Sequence, residues 1–212
     1  MNRSLLLIFS AAVVLGHAGC VTGQRSITLT IPKGARPLTK GQVAISSVSD
    51  DRRFANKPAD PSTPSIQGDV NTLSADRRGR SIGRQRNTYG MAMGDITLAG
   101  GTVPDKMREL VAEAFARRGY STSSGSGGNS VDLTIHEFWA WCSPGMFSLP
   151  FEARIAGKFT VRRGGRSSTF TVQGHGLNQG QMASDRNWQQ AYEEAFNDFL
   201  GKLTNQLAGA GF

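Results

Sequence analysis

Five arginines between positions 77 and 86 (Arg77, Arg78, Arg80, Arg84 and Arg86) form the densest chemical signal in the chain. Guanidinium forks bind phosphate or carboxylate in bidentate fashion, and the interleaved Gly79, Ser81 and Gly83 let backbone amides approach an anion. This is a candidate anion-binding loop; the opposing reading is a solvated segment kept soluble by its charge. No Gly-Lys-Ser/Thr follows, so it is not a nucleotide phosphate loop. Three further groups could do acid–base or thiol chemistry. Cys142 needs a base to become a thiolate, but His136, six residues away on one strand, is about 20 Å distant. His175, elsewhere in the chain, is left as its possible partner. Glu137 falls on the odd-numbered apolar face of Val131, Leu133, Ile135, Trp139 and Trp141. A carboxylate buried there would be a perturbed acid or base. A bulge near His136 would instead swap the faces and bring Phe138 inward. Trp139 and Trp141 then suggest either a ligand groove or packing under the Pro144-Gly145 loop. Two His beyond the first twenty residues, one Cys and no carboxylate cluster argue against a structural zinc site, and no cofactor is expected. No catalytic residue is assigned.

The N-terminus decides location. Arg3 provides a positive start, Leu5 to Leu15 an apolar run interrupted by Ser10, and Ala18-Gly19 precede Cys20. The run is too short for a permanent membrane span and reads as a lipoprotein signal peptide over 1–19. Cys20 resembles the lipidated cysteine of a bacterial lipobox, although His17 stands where Leu is usual. Its acyl chains would make the membrane a partner through a stable anchor. Val21 in place of Asp points, by similarity to enterobacterial sorting, to the periplasmic face of the outer membrane.

Composition limits the rest. The chain has 212 residues, 38% hydrophobic and 19% charged, with 26 glycines and a formal charge of +8. That suits one medium domain and excludes collagen, coiled coil and a polytopic membrane protein. Loss of residues 1–19 removes only Arg3, leaving +7 with no acidic block to balance it. Such charge favours anionic lipid, phosphorylated glycan or acidic protein partners, and a periplasmic address argues against nucleic acid. With Cys20 lipidated, Cys142 has no disulfide partner.

The elements that must position these groups follow from periodicity. Residues 20–40 read as the lipidated Cys, a linker and a short strand-like run from Ser26 to Ile31. Residues 41–208 read as a single domain with a long basic loop at about 50–90. Within it, Gln42 to Val48 and Met91 to Leu98 read as strands, and Ser121 to Ser130 as a flexible link. Thr102 to Arg118 is a helix capped by Thr102, with Val103, Met107, Leu110, Val111, Ala114 and Phe115 in one stripe. The strands from Val131 and from Phe151 precede a Gly164-Gly165 type I′ turn, which pairs Val161 with Ser168 and Phe159 with Phe170. A second helix, from about Ser184 to Leu207, carries a broad apolar stripe, and Gly201 within it suggests close packing. The expected fold class is α+β: a two-layer sandwich with a mainly antiparallel sheet of four to five strands and two helices on one face.

Cys20, Val43 to Val48 followed by Asp51-Arg52-Arg53, Ile82-Gly83, the Arg118-Gly119-Tyr120 helix end and the final strand–strand–helix order together resemble the YajG-like bacterial lipoproteins. The resemblance spans nearly the whole chain after the signal, and the Arg-rich segment around 54–90 is longer than the family pattern. It implies an envelope location and the fold, and it transfers no activity or catalytic residue. The expectation is a lipid-anchored periplasmic protein with a binding, scaffold or accessory role. The alternative is an envelope hydrolase or thiol enzyme using Glu137, His175 or Cys142.

Overall fold

The computed structural model describes residues 23–143, 145 and 148–212. The signal segment 1–19, Cys20 and Pro144 lie outside the described residues. Gly164 and Gly165 have φ of 54° and 77°, the left-handed pair that a type I′ turn requires. The turn sets the register of the longest hairpin, β7 (Leu149–Arg163) with β8 (Arg166–Gly180). Val161 pairs with Ser168 and Phe159 with Phe170, and no slip interrupts the ladder. On its other edge β7 pairs antiparallel with β6 (Ser130–Cys142), whose register shifts once, between Ile135 and Glu137. His136 is the bulged residue. Before it Val131, Leu133 and Ile135 enter the core; after it Phe138, Ala140 and Cys142 do. The bulge alternative for Glu137 is therefore the one the fold adopts.

The helices cover the core side. In α2 (Val103–Arg117) the Thr102 hydroxyl accepts from the Asp105 amide while the Asp105 carboxylate accepts from the Thr102 amide, a reciprocal cap. In α3 (Asp185–Gly209) the stripe from Trp188 to Leu207 is fully buried. Gly174 and Gly176 let α3 settle on β8: side-chain carbons there would stand 2.5 Å and 2.1 Å from the carbonyl oxygens of Ala195 and Ala191. Gly201 has nothing within 4 Å of where a side chain would start, so it marks no close contact.

The expected sandwich, with its mainly antiparallel sheet of four to five strands and two helices, is overturned. Among the described residues the sheet has eight strands, is mixed and curled, and is accompanied by three helices. β2 (Gly41–Asp50) runs parallel to β5 (Tyr120–Ser124) and to the first half of β6. β3 (Ser81–Arg86) then takes over the same edge of β6, parallel at Gly83–Ala140 and Arg84–Trp141. β3 is antiparallel to β4 (Ala92–Leu98), which pairs parallel with β1 (Arg25–Ile27). Two of the uncounted strands lay in stretches without apolar period: β3 in the basic segment and β5 in the Gly/Ser link. The basic segment also holds a 3-10 turn at Val70–Thr72 and α1 (Ala75–Arg80), so it is not one long loop.

Candidate functional site

The sheet forks where β6 exchanges β2 for β3, and one side chain fills the fork. The Asp51 amide donates to Ile135 O at 2.9 Å, which ends the β2 ladder. Farther along, Arg52 replaces a strand. Its Nη1 donates to Phe138 O at 3.2 Å and Ser81 O at 2.7 Å, and its Nη2 to Arg78 O at 2.7 Å. Nε and Nη2 also hold the Asp50 carboxylate, at 2.8 and 2.7 Å. The side chain is fully buried, and paired in this way its charge is tolerated. Phe54 lies beneath both the Arg52 and Arg78 guanidinium groups, 5.3 Å from each, and meets Trp139 edge-on. Trp139 donates its Nε1–H to Pro61 O, and Arg154 covers Trp141. Phe54 and Pro61 thus meet Trp139 and Arg154 meets Trp141, while the reading that they pack under the Pro144-Gly145 loop falls on a segment partly outside the described residues.

The five arginines follow the same pattern. Asp95, a buried carboxylate on β4, is 2.9 Å from Arg77 Nη2 and 3.4 Å from Arg84 Nε, and both its oxygens accept from the Gln67 amide. Each arginine also donates to a carbonyl of its own neighbourhood: Arg77 to Gln67, Arg78 to Arg52, Arg80 to Leu98, Arg84 to Ile66 and Arg86 to Ala59. The cluster does not converge on one point. Arg77 and Arg80 line a cleft of about 660 Å³ that also contains Asp76. Arg84 and Arg86 join Lys57 around a separate cleft of about 560 Å³, whose other walls include Tyr89 and Met91 and no carboxylate. Arg78 lines neither.

The catalytic candidates are divided by the sheet. Cys142 is 2% exposed on the core face, donates weakly to Arg86 O, and burial pushes its thiol pKa up, away from thiolate. Glu137 is half-buried on the opposite face. Burial raises its pKa, against the opposing pull of Arg154 and His175. His175 shares that face, and its Nε2 is 3.1 Å from Glu152 Oε2. Glu137 and His175 thus share a surface, while Cys142 is on the other side. Among the described residues, no group of three His, Cys, Asp or Glu could hold a metal ion.

The residues that organise this region escaped the sequence reading. Arg52 reads there as the polar end of a strand and part of the Asp51-Arg52-Arg53 motif, Met91 only as the start of a strand, and Lys57 and Tyr89 carry no pattern. Asp95 alone left a trace, as a carboxylate inside the apolar run Met91 to Leu98.

A forked mixed sheet, backed by two long helices and overlaid by an arginine-stitched segment, defines the architecture. The chain belongs to the family described as uncharacterized lipoprotein, whose model matches residues 55–209. The resemblance drawn from Cys20 and its companion motifs is supported at that level, and a lipoprotein is an envelope-associated protein. No curated protein matches the chain. Solved structures similar to it include the following three. A Xanthomonas campestris protein of the family DUF330 is 13% identical, with 89% of this chain and 99% of that one covered and a TM-score of 0.48. An uncharacterized protein is 10% identical, with coverage of 89% and 96% and a TM-score of 0.42. A Helicobacter pylori protein, provisionally described as a neuraminyllactose-binding hemagglutinin homolog, is 7% identical, with coverage of 86% and 91% and a TM-score of 0.39. Among the described residues, no helix is long and apolar enough to cross a membrane.

Proposed function

We propose that this chain is a lipid-anchored protein of the bacterial envelope, held through acylated Cys20 on the periplasmic face of the outer membrane. Its role is non-catalytic: it binds an anionic glycan, lipid or acidic protein as an accessory or scaffold. The observation that carries this reading is the cleft where Lys57, Arg84 and Arg86 meet with no carboxylate in the lining. Lys57 and Arg86 at one concave site, with Arg84 paired to Asp95, attract an anion more strongly than they would if spread over a flat surface. The burial of Cys142 on the core face, away from His175, favours binding over thiol chemistry.

The test is in-cell crosslinking with mass spectrometry, comparing the parent with Lys57→Ser/Arg86→Ser. Arg84 is left intact because it is 90% buried and paired with Asp95. The expected result is a partner or lipid recovered with the parent and lost from the variant. An identical set recovered from both would show that the cleft binds nothing relevant.

A further inference from the structure

We infer that the Asn87–Ala92 turn and the Lys57–Arg86 rim form the face by which the domain lies on anionic phospholipid headgroups of the membrane holding its anchor. This deepens the proposed function and rests on its two parts, the acylated Cys20 and the anion-binding cleft.

Three observations place this face toward the bilayer. The first is the tether. The Gly23 amide donates to Met93 O at 3.0 Å, and the Gly23 carbonyl lies so close to Gly94 that a side-chain carbon there would be 1.9 Å away. Cys20 precedes Gly23 by three residues, a reach of at most about 10 Å. Acyl chains on Cys20 therefore enter the membrane beside β4 and the turn that leads into it. The second is what that turn presents. Tyr89 is 85% exposed and Met91 is 59% exposed. They are held out by a fixed scaffold. The Asn87 side-chain oxygen accepts from both the Tyr89 and Met91 amides, and Gly90 takes the left-handed φ of 75°. An aromatic ring with a polar tip beside an apolar thioether suits the headgroup layer. The third is charge. Lys57 and Arg86 border the same cleft as Tyr89 and Met91, and basic residues at an anionic leaflet add to anchoring. The carboxylate that senses Arg86, Asp60, is outside the lining and is engaged by the Ser62 amide.

The other end of the molecule supplies the control. The Gly164-Gly165 turn follows Arg162, which pairs with Ser130 at the start of β6, whereas Cys142, at its end, contacts Arg86. Thirteen residues of strand separate the two ends by about 40 Å.

The experiment uses the full acylated chain in vesicles of phosphatidylethanolamine with phosphatidylglycerol, and in vesicles of phosphatidylcholine alone. A fluorophore is attached at Tyr89→Cys or, separately, at Ser167→Cys; buried Cys142 and acylated Cys20 do not react. In the anionic vesicles, spin-labelled lipid is expected to quench the label at 89 at least threefold more than the label at 167. Lys57→Ser/Arg86→Ser, or phosphatidylcholine, should remove most of that difference. Equal quenching at both positions overturns the inference. If quenching is equal but a crosslinked partner still depends on Lys57 and Arg86, the cleft serves a soluble anion: the membrane-facing surface fails while the proposed function survives. Mass spectrometry showing Cys20 unacylated would remove the tether and overturn both.

Discussion

The β7–β8 hairpin beneath α3 and the segment from Arg52 to Leu98 meet on β6, yet they are secured by different physics. The hairpin places Phe151, Ile155, Phe159 and Val161 against Trp188, Phe196 and Phe199, all at most 2% exposed. That stabilisation scales with apolar area and depends little on direction. The Arg52–Leu98 segment buries fewer apolar groups and is stitched by guanidinium-to-carbonyl hydrogen bonds, each with a fixed partner and angle. The first kind of region tolerates rearrangement and fails as a whole; the second fails locally, wherever one donor is withdrawn.

The sharpest way to break this comparison is Arg52→Met. It leaves Phe138 O, Ser81 O and Arg78 O without their buried donor and Asp50 without its partner, at a cost of about 3–5 kcal/mol. Hydrogen exchange should show loss of protection in α1 and β3, with β7 and β8 unchanged. Equal loss in both regions would mean that they do not behave as separate units. Gly176→Ala probes the other half. Its side-chain carbon meets the Ala191 backbone, so about 3 kcal/mol should be lost in a single cooperative transition, seen by thermal or urea unfolding.

Glu113→Gln tests a third fastening, between α2 and the segment that leads into β2. Glu113 is buried; burial alone would raise its pKa, but the Gly34 amide, Arg117 and Arg36 together hold it below the usual carboxylate range. A depressed pKa contributes stability that is complete above the unfolded value and is lost as pH falls through the folded one. The variant should lose about 1–2 kcal/mol at neutral pH and show a shallower acid limb in its stability profile. The smallest effect has the opposite sign. Burial raises the pKa of Glu137, so its ionised form costs stability at neutral pH, a cost released as pH falls through the raised folded value. Glu137→Gln should gain less than about 1 kcal/mol at pH 7, a difference that vanishes once both states are protonated. A loss instead would mean that Arg154 and His175 outweigh burial.

Legibility in the sequence followed the same division. The Gly164-Gly165 turn, the Thr102 cap and both helical stripes were readable because local conformation and period record them directly. At Glu137 two readings stood open, and only the ladder with β7 chose the bulge. The arginines were visible as a cluster, but their division between two clefts and the ring of Phe54 was not. The partners that divide them, Asp95 and the carbonyls of Gln67, Ile66 and Ala59, lie far along the chain or belong to backbone common to every residue.

By itself, the sequence determined the hairpin register, the capped helices, the apolar stripes and the basic balance, all consequences of neighbours a few residues apart. Tertiary structure decided the parallel pairings, the fork filled by Arg52 and the assembly of Lys57, Arg86, Tyr89 and Met91 on one face. The choice of a parallel partner and a guanidinium–carbonyl bond leave no period behind them. Arg52 finds Ser81 and Phe138 at separations of 29 and 86 residues, and only the folded chain brings such positions together.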